Sequence, residues 1–72
     1  MNIKEFLEKK GIEVEYDGGY FYKCHYKGNK IYLQRNDALN YCFSLYVNDK
    51  IIATRAYIRT CVGKVLNLKE SE

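Results

Sequence analysis

The chain has no proline and only three alanines, whereas lysine, asparagine, isoleucine and tyrosine are abundant. This composition is typical of an AT-rich gene. Together with the short length and the initiating methionine, it indicates a small, complete reading frame of the kind that phages and mobile elements carry. No apolar run approaches the roughly 20 residues of a membrane-spanning helix, so we expect no association with a membrane.

The cysteines do not form the pattern of a disulfide-stabilised protein. The three cysteines, at positions 24, 42 and 61, form an odd number at wide spacing, whereas a secreted disulfide framework usually has an even number. The N-terminal segment is charged and amphipathic, unlike a signal peptide. Both features predict a cytoplasmic protein with reduced thiols.

The length of 72 residues predicts a single domain, residues 1–72. A domain of this size buries about 60% of its unfolded surface, which leaves little room for an elaborate active-site cavity. It is nevertheless 47% apolar and 15% aromatic, which excludes a disordered chain.

The net charge of +3 is unevenly distributed. Residues 1–17 hold five acidic residues and three lysines, whereas residues 18–64 hold eight basic and two acidic residues. A basic middle segment points to an anionic partner, and the ordinary charge scatter of a soluble surface explains it equally well.

The stretch from Tyr20 to Leu33 has the clearest strand pattern, because aromatic and β-branched residues alternate with polar ones on both sides of Gly28-Asn29. A two-residue Gly-Asn turn supplies the positive φ of a tight hairpin and pairs Lys27 with Lys30. The predicted core face comprises Tyr20, Tyr22, Cys24, Tyr26, Ile31 and Leu33. The predicted solvent face comprises Phe21, Lys23, His25, Lys27, Lys30, Tyr32 and Gln34.

A short helix is predicted before this hairpin, with Asn2 as its N-cap, Glu5 as the reciprocal capping residue and Gly11 at its end. A half-buried strand follows, because apolar residues alternate with acidic ones from position 12 to position 17. The turn at 17–19 permits two registers. We favour a three-residue loop with a glycine bulge, which places Val14 beside Tyr22, because only this register joins apolar residues to apolar ones.

Residues 36–40 are predicted to be a loop, and a second hairpin follows with strands Tyr41–Val47 and Lys50–Thr54 around Asn48-Asp49. Its predicted core face comprises Phe43, Leu45, Val47, Ile52 and Thr54. Its other face comprises Cys42, Ser44, Tyr46, Ile51, Ala53 and Arg55.

From Ala56 onwards, apolar pairs recur every four residues, which predicts a C-terminal helix with Thr54 as its cap. Gly63 and the many β-branched residues favour a pair of strands instead. We prefer the helix. The predicted fold class is therefore α+β, with a five-stranded antiparallel sheet of hairpins flanked by an N-terminal and a C-terminal helix on one face.

No motif fixes a chemistry. Cys24 and His25 are adjacent on a strand and point to opposite faces, and the other cysteines are too distant in sequence for a typical zinc site. His25 lacks a placed cysteine partner and a third residue that would orient it as a base. We therefore expect no catalytic residues, no metal and no cofactor, and we interpret the cysteines as packing residues.

The polar face of the sheet is the best candidate for a functional surface. Aromatic rings on a sheet can stack on bases or anchor a protein partner, while lysine and arginine neutralise phosphates. Repulsion between the paired Lys27 and Lys30 could be relieved by an anion. The predicted partner-binding residues are Phe21, Lys23, His25, Lys27, Lys30, Tyr32, Tyr46 and Arg55.

In its size, composition and order of a helix followed by hairpins, the chain resembles the small inhibitors that phages encode against host defences, anti-CRISPR proteins among them. We therefore expect a non-catalytic protein that occupies the surface of a host enzyme or effector complex. Two alternatives stay open: a direct nucleic-acid-binding domain, and an oligomerisation module that buries the same aromatic residues in a homodimer. The predicted state is a monomer or a homodimer.

Overall fold

A computed structural model describes residues 2–36 and 41–71. Five antiparallel strands lie in the order β1-β2-β3-β4-β5, so each strand pairs with its neighbours in sequence. This confirms the predicted α+β fold, although the expected loop at 36–40 falls mostly on residues outside the described part of the chain. The elements are α1 (Ile3–Lys9), β1 (Glu13–Asp17), β2 (Phe21–Tyr26), β3 (Asn29–Arg35), β4 (Cys42–Val47), β5 (Lys50–Tyr57) and α2 (Ile58–Leu66).

The core lies between one face of the sheet and the two helices. Phe43 and Leu45 of β4 are fully buried at its centre, and both helices contribute buried side chains to the same cluster. Within the described residues, neither helix is long and apolar enough to cross a membrane.

Helix α1 begins as its sequence predicts. The backbone N–H of Glu5 donates to the Asn2 side chain at 3.1 Å. Ile3 and Leu7 are buried on one stripe, and Gly11 ends the segment with a φ of +87°.

The first hairpin turns one residue earlier than predicted. The turn residues are Lys27 and Gly28, with φ of 50° and 75°, and Tyr26 pairs with Asn29. The predicted pairing of Lys27 with Lys30 is therefore wrong. The shift moves each cross-strand partner by two residues, so every side chain of the strands stays on its predicted face.

Asn29 explains this register. Its side chain is buried and donates to the carbonyl oxygen of Lys69 at 2.8 Å, while it accepts a hydrogen bond from the side chain of Asn48 at 2.9 Å. Asn48 itself lies in the second turn and accepts from the backbone N–H of Lys30 at 2.9 Å. One buried amide thus joins both hairpin turns to the C-terminal segment, which Asn29 could not do from a turn position facing solvent.

A bulge interrupts β1 between Val14 and Tyr16. Val14 pairs with Cys24 rather than with Tyr22, so the predicted register is wrong, although Val14 still packs against the core. Beyond the bulge, Tyr16 lies opposite Lys23 and is 50% exposed. The extra residue moves Tyr16 from the expected core face to the open face.

The second hairpin has the predicted turn at Asn48-Asp49, but two irregularities follow in its β4–β5 pairing. They place Ala53 opposite Leu45 and leave Ile52 46% exposed, which reverses the predicted faces of these two β5 residues. Arg55 has a φ of 50°, and its backbone N–H donates to Asn36.

The C-terminal helix is confirmed over the alternative pair of strands. It begins at Ile58 rather than near Ala56, because β5 continues to Tyr57, and Thr54 therefore lies in a strand and does not cap it. Ile58, Cys61, Val62 and Val65 form its buried stripe.

Gly63 lies in the middle of α2 with a helical φ, and a Cβ added there would meet nothing within 4 Å. We therefore expect Gly63→Ala to raise the free energy of unfolding by about 0.5–1 kcal/mol, because alanine loses less backbone entropy on folding. Urea denaturation measures the change. Gly11→Ala is the matched control, since a φ of +87° strains any L-residue, and it should lower stability. A Gly63→Ala variant that is less stable than wild type would contradict the expectation.

Asn29→Ala should lower the free energy of unfolding by about 1–3 kcal/mol, because it removes a buried amide that donates to the Lys69 carbonyl oxygen and accepts from the Asn48 side chain. Asn67→Ala, at an exposed position, should change it by less than about 0.5 kcal/mol. Equal effects of the two substitutions, measured by urea denaturation, would show that the buried amide of Asn29 stabilises the fold no more than an exposed one.

Candidate functional site

One straight line of side chains crosses the open face of the sheet. Tyr16 pairs with Lys23, Lys23 with Tyr32, Tyr32 with Tyr46, and Tyr46 with Ile51, so the line touches all five strands. Directly paired residues of antiparallel strands share a face. Because α1 and α2 pack on the opposite face, this line has no covering element among the described residues.

Phe21 completes the line by filling the space beside Lys23. Its ring centroid lies 5.1 Å from that of Tyr16 and 5.7 Å from that of Tyr32. The Tyr32 centroid lies 5.7 Å from that of Tyr46. We call Tyr16, Phe21, Tyr32 and Tyr46 the aromatic row.

The orientation of the rings limits what they can contact. Interplanar angles of 27° and 23° mean that Phe21 is stacked between Tyr16 and Tyr32, whereas Tyr32 and Tyr46 meet edge to face. The faces of Phe21 are therefore taken up by its neighbours. Inside the row, a ligand can therefore contact ring edges and hydroxyl groups but has no free ring face to stack on.

Gly18 permits this packing. A Cβ at this position would lie 2.7 Å from Cε2 of Tyr16 and 3.2 Å from Cε1 of Phe21. The glycine therefore leaves the space that the two rings occupy at the β1–β2 turn. Gly18 is therefore the residue in the sequence that could have indicated that Tyr16 lies on the open face. The alternation of apolar and acidic residues in β1 predicts the core face instead.

The charges beside the row are largely matched. Nδ1 of His25 lies 2.7 Å from a carboxylate oxygen of Glu15, and Nζ of Lys30 lies 2.9 Å from a carboxylate oxygen of Asp49. With Lys23 and with Glu13, which lies opposite His25, the surface has two lysines, three carboxylates and one histidine. The alternation of β1 predicts that Glu13 and Glu15 face outward near Lys23, whereas Asp49 comes from the second turn.

Of the eight residues predicted for the site, Phe21, Tyr32 and Tyr46 are in contact, with Lys23, His25 and Lys30 beside them. Lys27 and Arg55 are not part of this group. Lys27 lies in the turn, where its Nζ is 5.5 Å from the ring centroid of Tyr26. Arg55 occupies the irregular part of β5 and is exposed.

A shallow depression of about 610 Å³ lies next to the row, lined by Lys23, Lys30, Tyr32, Tyr46, Glu15 and Asp49 among others. Of the charged residues that line it, Lys30 and Asp49 pair with each other. No cluster of three or more metal-ligating side chains occurs among residues 2–36 and 41–71.

The cysteines differ in environment. Burial, with a smaller contribution from the negative charge of Glu15, raises the pKa of Cys24 to about 12. Burial likewise raises the pKa of Cys61 to about 11. Cys42 is only half-buried.

The chain matches no protein-family model, and comparisons with curated proteins and with solved structures also find no match. A functional interpretation therefore depends on the geometry of the open face.

Cys24 and Cys61 should resist thiol reagents at pH 8, because their raised pKa values keep the thiols protonated and burial blocks access. In the folded protein we expect Cys42 to react first. Mass spectrometry after timed labelling with iodoacetamide identifies the modified residue, and labelling in urea provides the control in which all three react. Faster labelling of Cys24 than of Cys42 in the folded protein would contradict this ordering.

Proposed function

We propose that this chain is a non-catalytic binding protein that acts by occupying the surface of another protein, with the aromatic row as its docking surface. The observation that supports the proposal is a row of four contacting rings on a sheet face that neither α1 nor α2 covers. Tyrosine and phenylalanine are typical anchors of protein interfaces, because they bury a large apolar area while losing little side-chain entropy.

The charge distribution favours a protein partner over nucleic acid. A phosphate backbone needs lysines and arginines that are not already neutralised, but Lys30 is paired with Asp49, and Glu15 adds a negative charge beside His25. Matched charges around an apolar centre are instead typical of the polar rim of a protein interface.

Direct binding of nucleic acid is the second candidate. It is favoured by Lys23, which lies in the line between Tyr16 and Tyr32 and could contact a phosphate while an end ring of the row stacks on a base. The homodimer predicted from the same aromatic residues is a special case of a protein partner.

The most concrete form of the proposal is the phage-type inhibitor expected from the sequence. A domain of 8.5 kDa is large enough to cover a binding site on a host enzyme or effector complex. An interface of standard size takes about 800 Å² from each partner, and the whole accessible surface of this chain is 4837 Å².

Capture from host extract tests the proposal, with immobilised wild type compared with Tyr46→Ala and Tyr57→Ala. Tyr57 is the matched control, because it is a 66% exposed tyrosine outside the row. We expect a protein that wild type and Tyr57→Ala both bind, and whose dissociation constant rises about 30-fold or more with Tyr46→Ala, as for an interface hot spot of about 2 kcal/mol. A partner that binds all three proteins equally would exclude the row as its docking surface.

Fluorescence anisotropy with labelled DNA and RNA, at low and near-physiological salt, tests the second candidate function, direct binding of nucleic acid. Tight binding that weakens steeply with salt and is lost in Lys23→Glu would support nucleic acid as the partner. Absence of binding at low salt would exclude it.

A further inference from the structure

The two edges of the sheet carry opposite charges. Edge strand β1 has the sequence Glu-Val-Glu-Tyr-Asp, with three acidic residues and no basic one. Edge strand β5 contains Lys50 and Arg55 and no acidic residue. Among the described residues no other strand pairs with the outer side of either edge.

The line of side chains from Tyr16 to Ile51 also reaches both edges. Tyr16 ends the line on β1 and is 50% exposed, and Ile51 ends it on β5 and is 53% exposed. If β5 of one molecule lay beside β1 of another, Ile51 would continue the line next to Tyr16 of the second copy. The opposite charges of the two edges and the exposed apolar residues Tyr16 and Ile51 therefore both favour contact between β5 of one copy and β1 of another.

We propose that copies of this chain associate head to tail, with the basic β5 edge of one copy against the acidic β1 edge of the next. The contact is heterologous, because two different surfaces of the molecule meet. The dimer retains one unused edge of each kind, β1 on one copy and β5 on the other, so association continues beyond the dimer. This contact runs along the sheet edges, meets the aromatic row only at Tyr16, and does not depend on the proposed function.

The irregularities of both strands limit the strength of the contact. The bulge in β1 and those in β5 interrupt the straight edges on which a long hydrogen-bonded ladder would form, and such bulges are a common device against uncontrolled edge pairing. The regular part of β5 at this edge is short and includes Lys50 and Ile51. The association is therefore weak, reversible and electrostatic.

Sedimentation velocity over a range of protein concentrations measures it. At low ionic strength the average mass of wild type should rise with concentration beyond that of a dimer. It should return to that of a monomer at about 1 M salt, where the Debye length is about 3 Å. A monomer at every concentration in low salt would overturn the proposal.

Two matched variants each neutralise one edge: Glu13→Gln with Asp17→Asn, and Lys50→Gln with Arg55→Asn. All four positions are exposed, asparagine can preserve the hydrogen bond of Asp17 with Gly19, and it tolerates the positive φ of Arg55. Each variant alone should be a monomer. An equimolar mixture should form one-to-one dimers that grow no further, because only one native pair of edges remains.

Two results would refute the edge contact. If both variants still associated as wild type does, another surface such as the row would be responsible, and Tyr46→Ala would then abolish the association. If the mixture stayed monomeric while wild type associated, opposite charge on the two edges would not be what joins the copies. Partner capture through the row is measured separately, so the failure of either proposal leaves the other intact.

Discussion

Burial of one sheet face under two short helices is the constraint on which the rest of the structure depends. Phe43, Leu45 and the stripes of α1 and α2 account for most of the buried core, and among residues 2–36 and 41–71 no further helix lies on the opposite face. The side chains of that face must then stabilise one another. The stacking of Phe21 between Tyr16 and Tyr32 achieves this, since it removes ring surface from water without a covering element.

Much of the fold could be predicted from local pattern. Asn2 and Gly11 bound α1, positive-φ residues mark the hairpins, and the change from a period of two to a period of four separates β5 from α2. The bulges could not be predicted in this way, because a bulge adds one residue without changing the composition of a strand. The two faces of β5 were therefore exchanged at Ile52 and Ala53, and Tyr16 was assigned to the wrong face of β1.

The same limit applies to the site. The sequence indicates Phe21, Tyr32 and Tyr46 because regular alternation holds in the central strands. It also predicts a basic surface, because Glu15, although expected to face outward, and Asp49 of the second turn were not counted with the lysines. In the structure Glu15 pairs with His25 and Asp49 with Lys30, so the surface is nearly balanced. Whether the surface favours a protein or a nucleic acid therefore depends on where the fold places these carboxylates, and not on the number of lysines alone.

The position of Asn29 has a consequence for the order in which the chain assembles. Every strand pairing joins neighbours in sequence, so the sheet can form by successive closure of short loops, which is entropically inexpensive. The hydrogen bond from Asn29 to Lys69, by contrast, spans 40 residues. We expect the hairpins to be in place before this bond closes, so that the C-terminal segment docks late in folding and is the first to detach when the native state opens locally.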